Sequence, residues 1–177
     1  MAGPKDRAMP LDLKRAEAKL QQLHVLVVDD SPFMRAIVRN LLSSIGVRDV
    51  AEAGDGIVPL EQIRKHIPDV IILDWEMPVL NGPELVRIVR SPAAFPAPDI
   101  PIIMLSAYGE HWRMLESVKL GVNEFLCKPV SAKALYDRLI SIMLKPRRSV
   151  QVGDYYGPAP RVPVPEDELP DPVPPAA

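Results

Sequence analysis

Val25-Leu26-Val27-Val28-Asp29-Asp30-Ser31-Pro32 is the stretch on which the fold turns. A short continuous run of apolar, mostly β-branched residues reads as a strand buried on both faces, not as one alternating between core and solvent. The run stops in two carboxylates. Ser31 then reads as a helix N-cap with Pro32 at the first helical position. A second run, Val70-Ile71-Ile72-Leu73, stops in the same way at Asp74. Buried parallel strands that end in acids place them at the carboxyl edge of the sheet, where open α/β sheets bind ligands. Three acids gathered there repel one another unless positive charge lies between them. A hard divalent cation with oxygen ligands is therefore the first chemical expectation.

Outward from these two runs the chain alternates strand and helix signals from His24 to Leu144. Phe33, Ile37, Leu41 and Ile45 give the first of these helices its apolar face, and Gly46 ends it. Residues 48–53 read as a second strand, and Gly54-Asp55-Gly56 as a turn. A second helix then carries Ile57, Leu60, Ile63 and Ile67, with Pro59 in its first turn. After the strand at 70–73, Asn81-Gly82-Pro83 opens a third helix bearing Leu85, Ile88 and Val89. Residues 91–98 read as a loose surface loop. A fourth strand spans 101–105, a fourth helix about 110–120, and a fifth strand 124–127. The fifth helix follows Ser131 and uses Leu135, Leu139, Ile142 and Met143. This (βα)5 alternation requires parallel pairing with right-handed crossovers: an α/β, doubly wound sheet with helices on both faces.

The expected organisation is an N-terminal extension at 1–22 with a possible short helix on Leu13, Ala16, Leu20 and Leu23, a folded domain at 23–145, and a tail at 146–177. The 21 prolines crowd towards that tail, which holds no apolar periodicity and reads as extended or disordered. A net charge of −2 gives no bulk electrostatic reason to expect nucleic-acid or membrane binding. The single cysteine, Cys127, excludes an intramolecular disulfide framework, and three histidines argue against zinc. No signal-peptide core or membrane-length apolar run is visible, so a soluble cytoplasmic protein is expected.

The strand ends define one constellation. Asp29 and Asp30 follow the first strand, Asp74 the third, Ser106 the fourth and Lys128 the fifth. One chemistry employs them all: the acids hold Mg2+, one carboxylate is free to attack phosphorus, and an ammonium and a hydroxyl engage the transferred phosphoryl oxygens.

With these motifs in place, residues 24–144 resemble the receiver domain of two-component response regulators. The resemblance rests on Val27-Val28-Asp29-Asp30-Ser31, Leu73-Asp74-Trp75-Glu76-Met77-Pro78 with Asn81-Gly82, Leu105-Ser106-Ala107, and Lys128-Pro129. It implies a flavodoxin-like sheet of strand order 2-1-3-4-5 and a cis Lys128-Pro129 bond. It implies Asp74 as phosphoacceptor, with Lys128 and Ser106 engaging the phosphoryl group. Mg2+ would be held by Asp30 and Asp74, by Asp29 through water, and by the Glu76 carbonyl. Ser106 and Phe125 would be the switch pair. Glu76 and Tyr108, two residues beyond the acceptor and the switch hydroxyl, would flank the path of hydrolytic water and tune the phosphoryl lifetime.

The expected function is that of a single-domain response regulator and not of an enzyme beyond its own phosphorylation and dephosphorylation. It would take a phosphoryl group from a sensor histidine kinase or histidine phosphotransfer protein. It would then alter a surface on the fourth helix, fifth strand and fifth helix for a downstream target, acting as monomer or homodimer. The alternatives are a phosphorelay shuttle without a regulated target, a degenerate receiver scaffold, and an Mg-dependent aspartyl-phosphate phosphatase. In the last, Glu76 would stand where a general acid is needed.

Overall fold

The structure is a computed structural model that describes residues 11–161. The rest of the expected extension and tail, at 1–10 and 162–177, lies outside the described residues. Five parallel strands form one sheet: β1 (His24–Val28), β2 (Asp49–Ala53), β3 (Val70–Asp74), β4 (Ile102–Ser106) and β5 (Glu124–Cys127), in the order β2-β1-β3-β4-β5. The flavodoxin-like order implied by the resemblance is the order found. The helices are α1 (Leu11–Leu20), α2 (Pro32–Ser44), α3 (Ile57–Lys65), α4 (Gly82–Val89), α5 (His111–Leu120) and α6 (Ala132–Leu144). Among the described residues, no helix is long and apolar enough to cross a membrane.

The apolar runs explain the layering. Successive strand side chains point to opposite faces. Leu26, Val28, Ile71, Leu73, Ile102 and Met104 join the core with Ile63, Leu85 and Val89. The alternating set, Val25, Val27, Val70, Ile72, Ile103 and Leu105, packs with Val38, Leu42, Leu135 and Leu139. A run without polar alternation is thus what a sheet covered on both faces demands. Ala16 and Leu20 of α1 enter the second cluster, and the Glu17 carboxylate accepts a hydrogen bond from the Tyr136 hydroxyl on α6.

Local signals set the helix ends. Ser31 caps α2 through its hydroxyl, which accepts from Met34 N, and Ser131 does the same for α6. Asn81 and Glu84 form a reciprocal capping box at α4. One helix face is displaced from expectation. In α2 the fully buried residues are Val38 and Leu42, while Phe33 is 74% exposed. Phe33 precedes the turn that meets the sheet, so periodicity alone included it wrongly. Ile57 and Ile67, at the two ends of the second helical stretch, are likewise exposed.

Two segments differ from their expected looseness. The 91–98 loop is anchored by Phe95, which is buried in the core. It is also tied down by Arg90, whose guanidinium donates to the carbonyls of Pro98 (2.6 Å), Ile100 (2.8 Å) and Gly121 (2.9 Å) and to Asn123 Oδ1 (3.0 Å). Burial pushes this guanidinium down to about 10, so it remains protonated at neutral pH. The start of the expected extended tail is a β-hairpin, β6 (Ser149–Val152) paired antiparallel with β7 (Tyr155–Pro158). Gly153-Asp154 makes its two-residue turn, with Gly153 at φ 56°.

The hairpin docks at the amino end of β4 and β5. Tyr156 Oη donates to Asp99 Oδ1 (2.6 Å), Arg147 Nη2 to the Asn123 carbonyl (2.6 Å), and Arg161 pairs with Glu124. Gly157 permits the approach, because a Cβ there would lie 2.7 Å from Gly121 Cα. The prolines misled here: short-range turn chemistry and the paired tyrosines outweigh composition.

Removing the Arg90 guanidinium leaves buried carbonyls without donors. Arg90→Leu should therefore destabilise the fold by about 3 kcal/mol, measured by urea unfolding.

Candidate phosphoryl and metal site

The parallel ladder carries the functional side chains to one edge. Asp74 is the last residue of β3 and Ser106 the last of β4; Asp29 and Lys128 directly follow β1 and β5. Backbone bonds continue the register past the strand ends: Trp75 N to Leu105 O (2.8 Å), Lys128 N to Ser106 O (2.8 Å) and Asp29 N to Ala53 O (3.2 Å). The Lys128-Pro129 bond is cis. Gly82 lets the start of α4 lie against the end of β3, since a Cβ there would come within 2.4 Å of the Asp74 carbonyl oxygen.

Asp29, Asp30 and Asp74 each offer a carboxylate oxygen within 4.8 Å of the others. Asp29 and Asp74 are buried and Asp30 is exposed. Lys128 Nζ reaches Asp29 Oδ2 at 3.0 Å and Asp74 Oδ1 at 2.9 Å. The other Asp29 oxygen accepts from Ser31 N at 2.8 Å, so this carboxylate is already engaged on both sides. Asp30 faces an open cleft of about 390 Å³ with Trp75, Glu76, Met77, Pro78 and Asn81.

The charges do not balance. Burial, helped by Asp29 and Asp30, holds the Asp74 carboxyl above the usual carboxylate range even though it accepts from Lys128. Burial pulls the Lys128 ammonium down, but its bonds to Asp74 and Asp29 outweigh that and hold it above the usual lysine value. Three carboxylates against one ammonium leave two negative charges unmatched. The arrangement suits a doubly charged cation with oxygen ligands. Among the described residues no hydrogen bond engages the Glu76 carbonyl, which is thus also available as a ligand.

The remaining expected residues lie around this cluster. Ser106 is fully buried; its hydroxyl donates to the Tyr108 carbonyl and accepts from Tyr108 N, both at 3.2 Å. Phe125 is half-buried, with its ring edge-on to Trp75 at 6.5 Å between centroids. Glu76 and Tyr108 are both exposed. The sequence reading missed Arg113 of α5. This arginine donates to Glu76 Oε1 (2.7 Å) and Ser106 Oγ (3.1 Å) and stacks on Trp75, Tyr108 and Trp112. No motif marks it; only the first turn of α5, folded over β4, brings it to the site.

The family model for the response regulator receiver domain matches residues 25–140. Chemotaxis protein CheY1 of Helicobacter pylori is 40% identical over 118 residues, 66% of this chain and 94% of that protein. Chemotaxis protein CheY of Pseudomonas aeruginosa is 32% identical over 120 residues, 68% of this chain and 95% of that protein. The receiver domain of Francisella response regulator 1452 superposes with a TM-score of 0.61 at 32% identity, covering 70% of this chain and 97% of that one. The chain belongs to the response regulator receiver family. It is a receiver domain of the kind found in those chemotaxis proteins, and α1 and the β6–β7 hairpin lie outside the matched region.

An unbalanced carboxylate should cost stability. Because the folded state holds the Asp74 carboxyl above its unfolded value, the ionised group weakens the fold as pH rises through that range. Asp74→Asn should accordingly stabilise the protein by about 1 kcal/mol at neutral pH in chelator. Thermal unfolding of the two proteins measures it.

Proposed function

We propose that Asp74 accepts a phosphoryl group from a histidine kinase or histidine phosphotransfer protein, with Mg2+ bound, and that the modification switches a protein-docking surface. The observation that carries this reading is the Lys128 ammonium bridging Asp74 and Asp29, with Asp30 in reach and open to the cleft. Asp30, Asp74 and the Glu76 carbonyl would hold the ion directly, and Asp29 through water. Magnesium, when bound, supplies positive charge beside the transferring phosphoryl oxygens.

An Asp74 carboxylate oxygen attacks phosphorus while the bond from phosphorus to the donor's imidazole nitrogen breaks and the imidazole departs. Lys128, relieved of its bond to Asp74, turns to a phosphoryl oxygen and offsets its charge. Ser106 gives up its bonds to Tyr108 and donates to a second phosphoryl oxygen. Its departure from the end of β4 leaves space into which Phe125 rotates. The phosphate thereby biases a two-state element formed by α5, β5 and α6.

The α5 surface supports an output by contact: Trp112, Met114, Leu115 and Val118 are all exposed, where isolated apolar residues on a helix would need no explanation but a group on one helix suggests a docking face. The phosphatase alternative draws less support, because the Glu76 carboxylate is paired with Arg113. A relay shuttle differs in one observable: it passes its phosphoryl group on to a histidine protein.

Incubation with a phosphorylated histidine kinase and Mg2+ should label the wild type and leave Asp74→Asn unlabelled, with unchanged circular dichroism; wild-type labelling of the variant would overturn the assignment. Exposed and close to the acceptor, Glu76 and Tyr108 should set how fast water attacks. Glu76→Asn or Tyr108→Ala should change the dephosphorylation rate severalfold, read as loss of label after kinase removal. Equal rates in all three proteins would contradict that role.

A further inference from the structure

Arg113 is the cation that, among the described residues, hydrogen-bonds to the Ser106 hydroxyl. Its side chain is only 12% exposed. Nη2 donates to Glu76 Oε1 at 2.7 Å and Nη1 to Ser106 Oγ at 3.1 Å, while Nε is buried without a partner. Its guanidinium carbon lies 5.2 Å from the Trp75 ring, 4.8 Å from Tyr108 and 5.2 Å from Trp112, distances at which an arginine is held by aromatic faces.

The bond to Ser106 has a consequence for switching. A hydroxyl offers one donor and two acceptor positions. Here the proton goes to the Tyr108 carbonyl, and the two acceptor positions take Tyr108 N and Arg113 Nη1. Ser106 therefore has no capacity left for an oxygen arriving on Asp74 and must abandon these partners to reach it. When it does, Nη1 loses its acceptor. Besides the aromatic contacts, its remaining hydrogen bond is then to Glu76, a carboxylate that is 54% exposed and so screened by water. Arg113 stands in the first turn of α5, next to the exposed Trp112. One side chain thus joins the switch hydroxyl, a residue flanking the acceptor, and the first turn of the apolar α5 face.

We propose that Arg113 is a latch: a positioning residue that holds Ser106 and Glu76 in the unphosphorylated arrangement and frees the first turn of α5 when Ser106 leaves. The latch rests on the reading of Asp74 as acceptor and Ser106 as switch. Its removal makes the phosphoryl-ready position of Ser106 easier to reach, and it acts only through that hydroxyl.

The test is the initial rate of Asp74 phosphorylation by acetyl phosphate with Mg2+, in which the Asp74 oxygen bonds to phosphorus as the bond to acetate breaks and acetate leaves. Arg113→Gln and Arg113→Lys are compared with the wild type, each with Ser106 and with Ser106→Ala. Lysine keeps the charge and an aliphatic stem among the rings but cannot reach both oxygens in the same geometry, so this variant keeps the experiment readable should the glutamine fail to fold. Both Arg113 variants should label about three- to tenfold faster, the scale of one hydrogen bond. In the Ser106→Ala background the gain should fall below about twofold, because the coupling partner is gone. Unchanged or slower labelling in the Arg113 variants, or the same gain without the Ser106 hydroxyl, would overturn the latch. Wild-type protein that takes no label on Asp74 would overturn the acceptor reading itself, a result separate from failure of the latch alone.

Discussion

The Lys128 ammonium lies between Asp29 and Asp74, at 3.0 and 2.9 Å, and joins residues from three strands of the sheet. Without it three carboxylates would share one edge with nothing to offset them, and two of those are buried. With it the cluster is tolerable but still short of positive charge. This imbalance is the constraint from which the rest follows. It adds to the burial that holds the Asp74 carboxyl above its usual range and it favours a divalent cation; under the proposed reading it also makes an incoming phosphoryl group with its own cation a change in local charge large enough to move neighbours.

The fold makes such a cluster possible by parallel order. Every strand of the sheet delivers its carboxyl end to the same edge, so residues far apart in sequence meet without any loop having to be long. The opposite edge does different work. There Arg90 fastens the 91–98 loop to the turn after α5, and the β6–β7 hairpin closes over the starts of β4 and β5. The carboxyl ends of α5 and its neighbours are thus tied down, while the first turn of α5 is held at the other pole by the Arg113 contacts to Ser106 and Glu76. Under the proposed reading, freedom to move is concentrated where the phosphoryl group would act.

Most of the architecture was legible because its signals are local and strong. Runs such as Val70-Ile71-Ile72-Leu73 admit little except a doubly covered strand, and Ser31, Asn81 and Ser131 mark their helices by capping chemistry. The gathering of Asp29, Asp30, Asp74, Ser106 and Lys128 at one edge followed from those strand ends. What escaped depended on contacts between distant residues. Arg113 has no motif and matters only because α5 folds over β4. Phe33 fits the helical period but lies one turn too early to meet the sheet. Phe95 anchors a loop whose prolines suggested looseness. The hairpin was hidden by the prolines around it, although Gly153-Asp154 between Val152 and Tyr155 is a turn signal that composition obscured.

The claim that Asp74 alone among the three acids takes the phosphoryl group is tested most directly by chemical trapping. Wild-type protein phosphorylated with Mg2+ is reduced with borohydride, which converts an aspartyl phosphate to homoserine, and the digested peptides are sequenced by mass spectrometry. The account predicts homoserine at position 74, with Asp29 and Asp30 recovered intact. Homoserine at position 29 or 30, or a phosphorylated protein with no homoserine at 74, would contradict it.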